Sequence, residues 1–169
     1  DENDAVIWRG PMVHQALEQL LRDTDWPGGD IMIIDMPPGT GDTQLSISQL
    51  CELTGTVIVS TPQDVALIDA VKAAKMFTKV EIDVLGIVEN MSFFACPKCG
   101  EETPIFSRYG AEETSKTIQA PFLGAIPIEL EVRKGGDEGK PLMASNLDSP
   151  ASMAFKNIAD NLVKVLEEG

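Results

Sequence analysis

The sequence predicts an α/β fold, with a mostly parallel sheet and flanking helices, on three observations. Short continuous apolar runs recur at residues 31–35, 56–60, 84–88 and, more weakly, 122–126, as expected of strands buried on both faces. The stretches between them carry helical periodicity and helix-start signals, so the order repeats as βα units. The chain has 169 residues, 43% of them hydrophobic and 24% charged, enough for one domain over residues 1–169 around one core.

The elements follow in order. Pro11 opens a helix whose Met12, Val13, Ala16, Leu17, Leu20 and Leu21 share a face. The run at 31–35 forms a strand ending in Asp35, then leaves through Met36-Pro37-Pro38-Gly39-Thr40-Gly41-Asp42, with Asp42 or Thr43 capping the next helix. After the strand at 56–60, Thr61-Pro62-Gln63-Asp64 supplies a capping hydroxyl, Pro at the first helical position and an acid in the first turn. That helix should run to about Thr78. Residues 134–145 are rich in Gly and charge and read as an exposed loop. Ser149-Pro150 starts a last helix with Phe155, Ile158, Leu162 and Val165 as its apolar stripe.

Lys and Arg number 13 against 27 Asp and Glu, a formal charge of -14. Such a chain repels phosphate backbones and anionic lipid, which argues against nucleic acid and membrane surfaces as partners. No apolar run approaches the roughly 18 residues of a membrane span, and Asp1-Glu2-Asn3-Asp4 lacks a signal-peptide pattern. Cys51, Cys96 and Cys99 are too few, and odd in number, for a disulfide scaffold; they fit a reducing compartment.

Three segments carry chemistry. Asp35 stands at the carboxyl end of its strand, where open α/β sheets bind ligands. It suits coordination of a phosphate-bound Mg²⁺, while Gly39 and Gly41 let backbone amides approach an anion; the alternative is a Pro/Gly-rich turn in which Asp35 caps. Cys96-Pro97-Lys98-Cys99-Gly100 places two thiolates where they converge on one metal. One pair is half of a four-coordinate site. Cys51 and His14 are better read as structural, so a second chain is the economical source of the other half; a redox dithiol is the competing reading. Asn90, just past the strand at 84–88, offers donor and acceptor to a purine edge, or else serves a turn. The segment Gly135-Gly136-Asp137-Glu138-Gly139-Lys140-Pro141 imitates a phosphate loop, but the glycine spacing is short by one residue and Pro141 replaces the hydroxyl residue.

Taken together, Trp8-Arg9-Gly10-Pro11-Met12, Asp35-Met36-Pro37-Pro38-Gly39-Thr40-Gly41-Asp42, Ser60-Thr61-Pro62-Gln63-Asp64-Val65-Ala66-Leu67, Asn90-Met91-Ser92 and the Cys96–Gly100 segment closely resemble the Mrp/ApbC family of P-loop ATPases, which act as iron–sulfur cluster carriers. The resemblance implies a P-loop NTPase-like fold. It implies Asp35 as the Walker B acid holding Mg²⁺, Gly39 as a backbone sensor of the γ-phosphate, and Asn90 with the Pro127 segment around the adenine of ATP. It implies Cys96 and Cys99 as ligands of a [4Fe-4S] cluster shared across a homodimer, with apo iron–sulfur proteins as recipients. Thiolates at this spacing suit iron–sulfur as well as zinc, so the alternative is a non-enzymatic zinc-binding dimerisation module. The family's Gly-rich phosphate loop has no match here. In family terms the chain is therefore a C-terminal portion without the N-terminal phosphate-loop unit, in the cytoplasm or, alternatively, the mitochondrial matrix.

Overall fold

The computed structural model describes residues 10–36, 42–96, 98–107 and 109–168. The chain comprises two compact units, residues 1–54 and residues 55–169.

In the first unit, α1 (Gly10–Arg22) and α2 (Asp42–Leu50) are in contact. Leu17 and Leu21 of the expected apolar face of α1 are half-buried, whereas Met12 and Leu20 are exposed. Helix α2 begins at Asp42, which puts Thr43 in its first turn rather than at a cap. The expected strand at 31–35 is not formed. Residues 31–36 have no ladder partner among the described residues, and Ile31, Met32 and Ile33 are 58%, 54% and 85% exposed. An apolar run becomes a strand only when a neighbour takes up its backbone N–H and C=O groups, and among the described residues no neighbouring strand does so here.

The second unit holds the parallel sheet. Its elements are β1 (Thr56–Ser60), α3 (Asp64–Lys79), β2 (Val84–Glu89), β3 (Phe94–Ala95), β4 (Glu102–Thr103), α4 (Gly110–Ile118), β5 (Phe122–Ala125), α5 (Leu130–Asp137), α6 (Leu142–Ser145) and α7 (Pro150–Glu168). The sheet is 3-stranded, in the order β1-β2-β5, both pairings parallel. Ile87 and Val88 show why β2 is its centre. Successive strand residues face opposite sides, and both are buried, at 0% and 3% exposure. On one side α7 packs Phe155, Ile158, Leu162 and Val165 against Val88, Leu123 and Ile126. Helices α3 and α4 also contact the sheet, and α3 buries Ala70, Ala74 and Phe77.

Two local expectations change. Helix α3 starts at Asp64, behind Gln63, which makes no side-chain cap bond; Pro62 lies buried in the turn before it, and the Thr61 hydroxyl donates to Gln63 Oε1 at 3.1 Å. Residues 134–145 are not a plain loop, because α5 runs through them to Asp137 and α6 spans Leu142–Ser145. Gly and charge mark exposure, and an exposed helix carries them at modest cost. The start of α7 is as expected: Ser149 Oγ accepts the Ser152 N–H at 3.1 Å.

Candidate functional site

Ladder pairing builds the thiol site. β3 and β4 form an antiparallel hairpin, Phe94 opposite Thr103 and Ala95 opposite Glu102. The Cys96 N–H extends it to Glu101 O at 2.9 Å, and the Gly100 N–H returns to Cys96 O at 2.8 Å. Gly100 turns the chain at φ 73°, where a side chain would be strained. The backbone N–H groups of Lys98 and Cys99, and then the Cys99 thiol, point at the Cys96 sulfur and hold its pKa below that of an ordinary cysteine. Donors aimed at a sulfur favour its thiolate, the form that binds metal. Cys96 is half-buried, Cys99 exposed, and both are free thiols. Among the described residues no third His, Cys, Asp or Glu joins them in a metal-holding group. Cys51, also a free thiol, is half-buried just after α2 in the first unit, and His14 is half-buried in α1.

The hairpin is rooted in the sheet. Phe93 O accepts the Ile128 N–H at 2.7 Å, and the Ser92 N–H reaches Ile126 O at 3.0 Å. On the return, Ser107 Oγ donates to Pro62 O at 3.1 Å. Residues Ile105, Phe106 and Ser107 then line a cavity of about 550 Å³ with Pro62 and Val65.

Asn90 stands past the end of β2, half-buried, its N–H on Ser60 O at 2.7 Å. Its Oδ1 accepts the Met91 N–H at 2.9 Å and supports Met91 in the left-handed region at φ 56°. The donor Nδ2 takes no part in this turn. Pro127 is buried just past β5, at the neighbouring strand end. It lines a cavity of about 530 Å³ with Phe93, Leu123, Met153 and Asn161; Asn90 is not among the lining residues. Asp35 is exposed, in the stretch of the first unit without regular secondary structure. Gly39 lies outside the described residues.

Sequence reasoning passed over Glu89 and Glu129. Glu89, the last residue of β2, is 1% exposed, and its carboxylate accepts the Ala111 N–H at 2.8 Å and the Ser92 hydroxyl. Glu129 accepts the Ala151 N–H at 2.9 Å at the start of α7. Each carboxylate supplies a helix N-terminus from a distant part of the chain, which satisfies an orphan N–H and complements the helix dipole. The available signal for Glu89 was an acid closing an otherwise apolar strand.

A parallel sheet covered by helices, with loops at its strand ends, defines an α/β protein, and comparison with known proteins places it in the P-loop NTPase class. The nucleotide-binding protein of Archaeoglobus fulgidus in complex with ADP superposes with a TM-score of 0.72 at 36% identity, over 85% of this chain and 57% of that one. The cell division ATPase MinD of Pyrococcus furiosus shares the fold, with a TM-score of 0.63 at 22% identity over 95% of this chain and 63% of that one. The chain belongs to the ParA family described as NUBPL iron-transfer P-loop NTPase, whose model matches residues 1–163. Relatives include an iron-sulfur cluster transfer protein NUBPL of Dictyostelium discoideum, 52% identical over 99% of this chain and 52% of its own length. Another is an iron-sulfur cluster carrier protein of Escherichia coli, 45% identical over 98% of this chain and 45% of its own. The chain thus spans about half the length of these relatives. Among the described residues no helix is long and apolar enough to cross a membrane.

Proposed function

We propose that the protein carries an iron–sulfur cluster and delivers it to apo iron–sulfur proteins, with Cys96 and Cys99 of two copies holding one [4Fe-4S] cluster between them. The observation that carries this reading is the hairpin turn with its two free thiols, one of them poised toward thiolate by backbone donors. Relatives named for iron–sulfur cluster transfer support it. Two thiolates are half of a four-ligand set, and a two-fold axis supplies the rest without new sequence. Delivery is ligand exchange: thiolates of the recipient replace those of Cys96 and Cys99, and the cluster passes with its charge unchanged.

The same reading assigns Asp35 to phosphate-bound Mg²⁺, Gly39 to the γ-phosphate, and Asn90 with Pro127 to the adenine of ATP. It treats residues 1–169 as one domain corresponding to the C-terminal portion of the P-loop ATPase-like fold. These residues contain no Gly-rich phosphate loop with its lysine, the chief cradle of the β- and γ-phosphates. This chain by itself should therefore bind Mg-ATP weakly and hydrolyse it negligibly. The cytoplasm and the mitochondrial matrix both fit; a relative from Arabidopsis thaliana is named as mitochondrial.

The test is anaerobic reconstitution, with iron and sulfide content measured against oligomer mass for the wild type and Cys96→Ala. One cluster per two chains is expected, with broad violet–blue absorption, lost along with the dimer in the variant. A colourless zinc protein would replace this reading by the zinc-binding dimerisation module. Equal iron and equal dimer fraction in the variant would overturn the ligand assignment.

A further inference from the structure

Residues 93–110 leave the central strand β2, form the cysteine hairpin and return to start α4. The two ends of this excursion meet on one side chain. Glu89, buried to 1% exposure, accepts the Ser92 hydroxyl, just before the excursion, and the Ala111 N–H at 2.8 Å, just after it. Tyr109, the N-cap residue of α4, sits at φ 65° and makes no side-chain cap bond. Glu89 therefore supplies that helix start from 22 positions earlier in the chain. Closing a long excursion costs conformational entropy that rises with the length left free. A carboxylate that fixes both ends removes freedom the hairpin would otherwise have, and the fixing groups lie in the least solvated part of the unit.

We propose that Glu89 is a positioning residue for the Cys96–Cys99 turn: its carboxylate clamps the outgoing and returning ends of the hairpin segment and so holds the two thiols in metal-binding geometry. That the turn's ligand is an iron–sulfur cluster rests on the function proposed above; the clamp itself does not. The outgoing end is also held by backbone bonds to Ile126 and Ile128, and the return by Ser107 on Pro62. Among the described residues, Glu89 is a side chain that joins one end directly to the other. A glutamine can do the same work, with Oε1 accepting from Ala111 and Nε2 donating to the Ser92 hydroxyl. Alanine at position 89 or 92 cannot.

The test compares the wild type with Glu89→Gln, Ser92→Ala and Glu89→Ala as reduced, metal-free full chain. Residue-resolved amide exchange is read at Cys96 and Gly100, whose N–H groups close the turn, and at Ile58 and Val88 in the sheet. Loss of one buried bond to a charged group should speed exchange at Cys96 and Gly100 in Ser92→Ala by about tenfold or more, leaving the sheet amides unchanged. Glu89→Gln should stay within about twofold of the wild type, since its bonds are retained. Titration with Co²⁺ gives the second readout. The thiolate-to-metal absorption of the wild type should persist in Glu89→Gln and require about tenfold more metal in Ser92→Ala. Unchanged exchange and unchanged Co²⁺ affinity in Ser92→Ala would overturn the proposal, as would equal acceleration at every amide. Should Glu89→Ala fail to fold, Ser92→Ala decides. A wild type that takes up Co²⁺ but no iron–sulfur cluster would sink the cluster reading while leaving the clamp standing.

Discussion

Replacing Gly86 with alanine probes the join that orders the parallel sheet. Gly86 lies buried in β2 at φ +157°, beside register shifts in both pairings, at Thr56/Val57 toward β1 and at Ile87/Val88 toward β5. A Cβ there would stand 2.5 Å from Leu123 Cγ and 2.8 Å from Pro121 O. Neither neighbour can yield freely. Leu123 is 1% exposed in the core, and Pro121 O accepts the Ile87 N–H at 2.9 Å. Overpacking of this kind costs about 1–3 kcal/mol, and the unfavourable backbone conformation about 1–3 kcal/mol more. Against this, alanine narrows the unfolded ensemble by about 0.4–1 kcal/mol. The expected net is a loss of about 2–4 kcal/mol, a large part of the ~5–15 kcal/mol typical of a domain. Urea unfolding followed by far-ultraviolet circular dichroism measures it, as a lower midpoint at unchanged slope. The control is Gly136→Ala in α5, where a Cβ would meet nothing within 4 Å. It should gain a few tenths to about 1 kcal/mol. A Gly86→Ala chain within about 0.5 kcal/mol of the wild type would refute the packing argument.

Three further outcomes are expected. Ser149→Ala removes the hydroxyl that accepts the Ser152 N–H at the start of α7 and should lower stability by about 1 kcal/mol in the same urea assay; no change would mean that Glu129 alone suffices. Ile33→Lys should move stability by no more than about 0.5 kcal/mol, because Ile33 is 85% exposed; a loss above about 1.5 kcal/mol would place this run in a packed sheet after all. Backbone donors lower the Cys96 pKa, so its thiolate survives to lower pH than that of an ordinary cysteine. Iodoacetamide labelling of Cys96 in the metal-free chain, followed by peptide mass spectrometry, should therefore reach half its maximal rate at a pH below that of free cysteine. A midpoint at or above the free value would contradict the donor geometry.

Local information carried much of this protein. The apolar runs at 56–60, 84–88 and 122–126 are strands because β-branched and other apolar residues, bounded by turn residues, suit burial on both faces wherever they pair. The thiol turn was legible because its spacing and its glycine act within five consecutive residues. Ser149-Pro150 was legible because a cap and its helix are neighbours in sequence. The run at 31–35 has the same local character as the other strands, yet it stands exposed, since a strand also requires a partner that composition does not name. The N-terminal side of α3 failed as a cap reading for a related reason: Pro62 is buried against a returning loop, and Thr61 bonds to Gln63 instead of the helix.

What the sequence determined by itself is the set of elements stabilised within a few residues: the strand-forming runs at 56–60, 84–88 and 122–126, the helices α1, α3 and α7, the Ser149 cap and the Cys96–Gly100 turn, but not α5, α6 or the start of α3. What only the tertiary structure decided is which of those elements meet. Sheet order β1-β2-β5, the rooting of the hairpin on the end of β5, and the two carboxylates that cap helices from 22 positions away all depend on contacts between residues distant along the chain. Such contacts have no local signature, because the entropy of closing the intervening chain is offset only when many of them form together.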